Sequence, residues 1–289
     1  MTTLNVGSEG MGRWGFDIIL PLLRRTFPNT TVTTDDSKAP DLMVRSHFFR
    51  DEAEASYSCP YITYSGEAYQ VKPKADYAPI LNIDTAYHSD SFYLPFLFLE
   101  VPHTVRPDPP PTKQWCAAYA FSNRVRSREE LFLQMRSVEP TCYSFGRSCH
   151  TNDTPFELGR GSRFENAKAF NAFGFVIAME NQVAPGYLTE KIGNAFCSGA
   201  VPIYLGDSAT VSEFFNPAAY LDVNDYANSR AAGLAAVEIW RDRQKLQKFL
   251  DAPLTLNSKL ADYEAVRTDY RPWQKPFIDQ LREAFPDLS

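Results

Sequence analysis

Residues 175–206, FVIAMENQVAPGYLTEKIGNAFCSGAVPIYLG, constrain the fold more than any other stretch of the chain. FVIAM is an apolar run of strand length, and Glu180 and Asn181 follow it directly. The loop VAPGYL carries the Pro185-Gly186 pair that marks a turn. Thr189 is placed to cap the helix TEKIGNAFCSG, Gly199 to stop it, and AVPIYLG reads as a second strand. The spacing predicts a strand–loop–helix–strand unit of a parallel α/β sheet. Such units bind ligands at the carboxyl ends of their strands, where helix N-termini point N–H groups at anions.

The polar residues gather at that end: Glu180, Asn181, Tyr187, Thr189, Glu190 and Lys191. A lysine beside a helix N-terminus suits a diphosphate, because charge and dipole act together. Glu190 suits ribose hydroxyls as an acceptor. Ordinary capping with a solvated Glu-Lys pair is the plain alternative, since a TEK tripeptide alone is common by chance.

MEN at 179–181, GYLTEKI at 186–192, GAVPIYLG at 199–206 and FNP at 215–217 form an ordered series over about forty residues. This series closely resembles the donor-binding core of the α1,3/4-fucosyltransferases, glycosyltransferase family 10. Met179 stands where that family usually has an aromatic residue.

Elsewhere, the chain of 289 residues is long enough for one large or two modest domains. Its formal charge of −6 argues against nucleic acid or an anionic membrane as main partner, without excluding a nucleotide held by a local basic cluster. The five cysteines are odd in number and scattered, which reads as thiols in a reducing compartment and not as a disulfide framework. No Cys/His set has zinc spacing, and no D-x-D pair is present. The start, MTTLNVGSEG, lacks the pattern of a signal peptide, and no apolar run reaches membrane-spanning length. We therefore expect no integral membrane segment and a cytoplasmic location; the resemblance implies the Golgi instead if an anchor was removed from a longer chain.

In the first part, TLNVG, TTVTT, DLMVRSHF, CPYITYSGE, DYAPILNID and FYLPFLFLE read as short strands and FDIILPLLRRTF as a helix containing Pro21. The alternation suggests a Rossmann-like sheet. Gly10, Gly12 and Gly15 match G-x-G-x-x-G, with Asp35 about twenty residues on, so an NAD-dependent oxidoreductase is a rival reading. In the resembling family a glycine- and tryptophan-containing turn near here faces the acceptor, which suits Trp14. YITYSGE ends in a carboxylate at the sheet's ligand edge, read as either an exposed turn glutamate or a base. The resemblance places the catalytic base in such a Y-x-GE segment, on Glu67, where it would take the proton of the attacking hydroxyl.

The proline-rich residues 105–113 read as a semi-rigid linker. QWCAAYAFSN is a strand, and SREELFLQMRSV an amphipathic helix with Ser127 as its cap. Arg124, Arg126 and Arg128 lie between them, a plausible phosphate grip or a solvated helix start. The resemblance implies one phosphate-binding arginine here; Arg128 aligns best, with Arg124 or Arg126 as alternatives. A strand AAYLDVNDY and one long helix GLAAVEIWRDRQKLQKFLDAP complete a second α/β domain, and PFIDQLREAF is a final helix.

The resemblance implies the GT-B glycosyltransferase fold, two Rossmann-like α/β domains facing a cleft. We expect an acceptor-side domain at 1–110, a GDP-sugar donor domain at 111–270, and a C-terminal helix at 271–289 packing back on the first. The implied activity is inverting transfer of L-fucose from GDP-β-L-fucose to an acceptor glycan hydroxyl, by default α1,3 to N-acetylglucosamine. No metal or cofactor is called for, positive side chains neutralising the departing diphosphate. Glu67 would act as base, Arg128 and Lys191 on phosphates and Glu190 on ribose, with Asn181 and Tyr187 positioning the donor. A non-catalytic paralogue that holds GDP-sugar or glycan is the second alternative.

Overall fold

A computed structural model of the chain describes residues 2–10, 13–46, 59–69, 79–101, 103–158 and 168–288. It comprises two compact units: Met1–Pro102 with Ala184–Leu188 and Ala261–Ser289, and His103–Val183 with Thr189–Leu260.

The first unit opens with β1 (Thr2–Glu9) and α1 (Arg13–Thr26), then β2 (Thr30–Thr33), β3 (Leu42–Ser46), β4 (Tyr61–Ser65), β5 (Leu81–Asp84) and β6 (Phe92–Tyr93). These six strands form one sheet in the order β2-β1-β3-β4-β5-β6, every pair parallel. Helix α1 runs through Pro21 and seals Ile18, Ile19, Leu22 and Leu23 completely from solvent, the stripe that helical periodicity dictates. The expected strand FYLPFLFLE is instead a two-residue strand followed by a helical turn, α2 (Leu97–Glu100). Pro95 has no N–H for a ladder, the Phe96 N–H is taken by Thr85 Oγ1 at 2.5 Å, and the Val101 N–H closes back on Leu97 O at 2.8 Å.

The second unit holds β7 (Trp115–Tyr119), α3 (Arg126–Val138), β8 (Cys142–Ser144), β9 (Phe173–Met179), α4 (Glu190–Cys197), β10 (Val201–Leu205), α5 (Ser208–Phe214), β11 (Leu221–Asp222), α6 (Ser229–Arg241) and α7 (Arg243–Asp251). The five strands among its described residues are also all parallel, in the order β11-β10-β9-β7-β8. Counted along the chain, this repeats the 2-1-3-4-5 order of the first unit's sheet. All seven residues of β9 are buried, as a parallel strand covered on both faces requires. Phe175, Ile177 and Met179 enter one core with Leu131, Phe132 and Met135 of α3 and Ala232, Ala236 and Trp240 of α6. Val176 and Ala178 point the other way, toward Ala195 and Ala200. The long helix expected after β11 is broken at Asp242, whose carboxylate accepts from the Gln244 and Lys245 N–H groups and so starts α7. Strand β11 is two residues long where a longer run was expected.

The proline-rich stretch is fastened to this unit. Arg106 donates to the carbonyls of Leu250, Ala252, Phe249 and Ala219, which meets the open C-terminal end of α7. Gly199, in the left-handed region at φ 71°, leaves the space that Pro107 and Pro111 occupy. After α8 (Lys259–Glu264), the helix α9 (Lys275–Ala284) belongs to the first unit. There Arg282 donates to Thr26 O at 3.1 Å and Phe285 meets Phe27 edge to face. All five cysteines are free, Cys116 and Cys142 buried and the others half-buried. Among the described residues no helix is long and apolar enough to cross a membrane.

Gly174 tests how tightly the second core is packed. A Cβ there would sit 2.7 Å from the Trp240 ring. Gly174→Ala should cost about 1–3 kcal/mol, read as a lower midpoint in thermal unfolding; an unchanged midpoint would mean that Trp240 yields without loss.

Candidate functional site

In sheets of this strand order, ligands bind where neighbouring connections leave for opposite faces, at the carboxyl ends of the first and third strands. In the second unit those strands are β7 and β9, and their outgoing loops carry most of the polar residues singled out above.

Arg128 lies in the first turn of α3 and is fully buried. Its Nε donates to Met179 O at 2.9 Å, its Nη2 donates to Asn181 Oδ1 at 2.6 Å, and the guanidinium lies 4.0 Å from the centre of the Phe121 ring. One side chain thus ties α3 to the end of β9. Arg124 and Arg126 point to solvent, 83% and 90% exposed, and pair with Glu129 and Glu130 at 2.9 Å each. Only Arg128 of the three is brought to the strand ends. Ser127 does not cap α3: the helix starts one residue earlier, after an extended Val125 with no side-chain cap.

At the end of β9, Glu180 is 2% exposed. Its carboxylate accepts from the Thr189 N–H at 2.9 Å, from Thr189 Oγ1 at 2.9 and 2.7 Å, and from Lys191 Nζ at 2.9 Å. Lys191 Nζ also donates to Thr189 Oγ1 at 2.8 Å, and Glu190 Oε1 lies 3.9 Å from it. Thr189 occupies the N-cap position, but its hydroxyl serves Glu180 and not the helix. Burial alone would lower the Lys191 pKa; the carboxylates of Glu180 and Glu190 outweigh it, and the pKa is raised, with nearby Arg128 opposing. The strand end therefore carries two cations, Lys191 held by the buried Glu180 carboxylate and Arg128 held by Met179 O and Asn181. Sequence reading noted Glu180 and gave it no role; its position between strand end and helix cap was the available signal. Next to it, Tyr204 is fully buried with its pKa well above the usual range, through burial first and the Glu180 charge second.

In the first unit, Glu67 follows β4 at the carboxyl edge and is half-buried. Its N–H donates to Ser65 Oγ at 3.4 Å, and Ser65 Oγ donates to Tyr69 O at 2.6 Å. Tyr187, expected beside the donor residues, belongs to this unit and donates its hydroxyl to Glu67 Oε2 at 3.3 Å. The glycine turn lies at the corresponding switch point, between β1 and α1. Gly10 is left-handed at φ 65° and accepts from Ser46 Oγ. Met11, Gly12 and the Trp14 side chain lie outside the described residues. Asp35, the ribose ligand of the dinucleotide alternative, is engaged by the Ser37 N–H and hydroxyl and by Lys38. Its pKa is lowered by those Ser37 and Lys38 contacts. Among the described residues no group of three or more His, Cys, Asp or Glu is arranged to hold a metal ion.

Comparison with known proteins places these strand ends in context. The model of glycosyltransferase family 10 (fucosyltransferase), C-terminal part, matches residues 110–265. The 3-α-L-fucosyltransferase FUT6 of Pongo pygmaeus is 30% identical over 172 residues, 57% of this chain and 45% of that protein. The α-(1,3)-fucosyltransferase FucT of Helicobacter pylori is 30% identical over 119 residues, 41% of this chain and 23% of that protein. The match thus spans less than half the length of these curated relatives. A solved α1,3-fucosyltransferase with GDP-fucose superposes with a TM-score of 0.62 at 16% identity, covering 94% of this chain and 93% of the other. Another structure of an α1,3-fucosyltransferase gives 0.64 at the same identity, over 94% and 92%. The fold is GT-B, with two parallel-sheet α/β units.

The Glu180–Lys191 pair has a measurable signature. A folded-state pKa raised above 10.5 contributes stability fully present below that pH and lost as pH rises through the raised value. Glu180→Gln leaves the ammonium with the more distant Glu190 carboxylate in place of a hydrogen-bonded one, so stability at neutral pH should fall by about 3 kcal/mol. Urea midpoints measured across pH should show the alkaline loss of the parent protein flattened in the variant. Equal pH dependence in both would contradict the pairing.

Proposed function

The chain belongs to glycosyltransferase family 10, the fucosyltransferases, and from that premise we propose that it transfers L-fucose from GDP-β-L-fucose to a hydroxyl of an acceptor glycan. The default acceptor is the 3-hydroxyl of N-acetylglucosamine. The observation that supports this reading best is the polar knot at the end of β9, where Lys191 and Arg128 stand by the N-terminus of α4.

A nucleoside diphosphate leaves with growing negative charge, and fixed cations with a helix N-terminus stabilise that charge without rearranging. Lys191 spends two of its three N–H donors on Glu180 and Thr189, and in this reading directs the third to a phosphate oxygen. Arg128 holds the strand end and Asn181 in place and adds positive potential at the diphosphate. Glu190, in the first turn of α4, accepts from the ribose. The acceptor oxygen attacks the anomeric carbon opposite the leaving group, through an oxocarbenium-like transition state. One carbon–oxygen bond forms as the bond to phosphate breaks, its electron pair departs with GDP, and the hydroxyl proton passes to Glu67. A single displacement inverts β to α.

Calorimetric titration of the parent protein and Lys191→Ala with GDP, GDP-fucose, NAD and UDP-sugars is the test. We expect selective guanosine binding, weakened about ten- to a hundredfold in the variant, the worth of a charge-assisted hydrogen bond. Binding of NAD in place of GDP, or GDP binding indifferent to Lys191, would overturn the assignment. GDP release that requires an acceptor separates transfer from mere binding.

A further inference from the structure

The first unit holds a cavity of about 300 Å³, lined from β6, α8 and α9, at the lower end of the ~300–1,000 Å³ of small-molecule sites. One wall is aromatic, formed by Tyr93, Tyr263 and Trp273. Tyr263 and Trp273 stack with centroids 4.3 Å apart and planes 4° from parallel, and Tyr93 meets Tyr263 edge to face at 6.4 Å. Phe92 stacks on Trp273 at 5.7 Å, and the Trp273 Nε1–H donates to Asp262 O at 3.3 Å. The rings hold one another in place, so the wall is preformed.

The rim is polar. Ser89 and Gln280 line it, both exposed, and among the described residues neither side chain has a hydrogen-bond partner. Asp90, which has engagements of its own, adds negative charge. Among the described residues no lysine or arginine lines the cavity. A phosphate or other anion would therefore meet a carboxylate and no cation. A hydroxyl and a carboxamide each donate and accept, as sugar hydroxyls do, while an aromatic wall covers the C–H face of a pyranose ring. A quaternary ammonium, which aromatic rings also attract, has no use for two hydrogen-bonding groups.

We propose that this cavity is a sugar subsite. It takes a neutral pyranose residue, with Ser89 and Gln280 hydrogen-bonded to its hydroxyls and the aromatic wall against its C–H face. In the proposed reaction that residue is a non-reacting sugar of the acceptor glycan, and to that extent the inference rests on the fucosyltransferase reading. Its place suits the role: Tyr93 donates its hydroxyl to Gly186 O at 2.8 Å. The next residue, Tyr187, donates its own to Glu67 Oε2 at 3.3 Å.

The test is acceptor kinetics with the parent protein, Ser89→Ala, Gln280→Ala and the two combined, each checked by thermal melting. Both positions are exposed, so the melting midpoints should not move. The acceptors are the methyl glycoside of N-acetylglucosamine, N-acetyllactosamine and chitotriose. The combined variant should raise KM for at least one of the two longer acceptors about tenfold, with kcat unchanged. The single sugar, too short to reach the cavity, should keep its constants. Equal changes on the single sugar and the longer acceptors, or no change on any, would overturn the subsite. If the parent transfers no fucose, the fucosyltransferase reading fails and ligand-detected NMR decides the cavity by itself. Saturation transfer to N-acetyllactosamine or chitotriose that the combined variant loses would uphold the subsite. Transfer indifferent to the substitutions, or transfer to choline and to neither sugar, would overturn it.

Discussion

A buried carboxylate at the end of β9 organises the second unit. Glu180 is buried from solvent, so the fold must surround it with donors, and it does so with the Thr189 N–H, the Thr189 hydroxyl and the Lys191 ammonium. Those donors come from the start of α4. The carboxylate therefore fixes the helix N-terminus against the strand end and holds an ammonium there, two features that an anion-binding strand end needs together. Arg128 does the same for α3, tying it to the Met179 carbonyl and to Asn181.

Both sheets share one strand order, which places a switch point in each. The second unit fills its switch point with cations, the chemistry of phosphate recognition. In the first unit, Glu67 closes β4 and is met by Tyr187. One chain thus carries the proposed phosphate-binding groups and the proposed base on two sheets built by the same rules, with the short loop Ala184–Leu188 as a covalent link in the order of the sequence.

The strand–loop–helix–strand unit was legible from sequence because an all-buried strand and a glycine-stopped helix leave strong local patterns, and Gly199 takes the left-handed conformation expected of such a stop. The helix positions of Lys191 and Arg128 were legible for the same reason. Tertiary bonds were not. The Thr189 hydroxyl looked like a cap and proved to serve Glu180, because a buried carboxylate nine residues earlier in the chain outcompetes a helix end that water can satisfy. Tyr187 bonds a residue 120 positions away, a distance at which no local pattern operates. The break at Asp242 was missed because apolar periodicity continues across it, while the cap that resets the backbone is a single residue. FYLPFLFLE misled through strand-like composition, although Pro95 was the visible warning.

In the proposed function the carboxyl ends of β7 and β9 receive the nucleotide. Hydrogen exchange by mass spectrometry, with and without GDP, tests it most directly. Exchange should slow in peptides covering residues 180–193 and 124–130, where the bound diphosphate would order the helix starts. Slowing confined to peptides around residues 8–18, with the β9 loop unaffected, would put the nucleotide on the glycine turn of the first unit and contradict it.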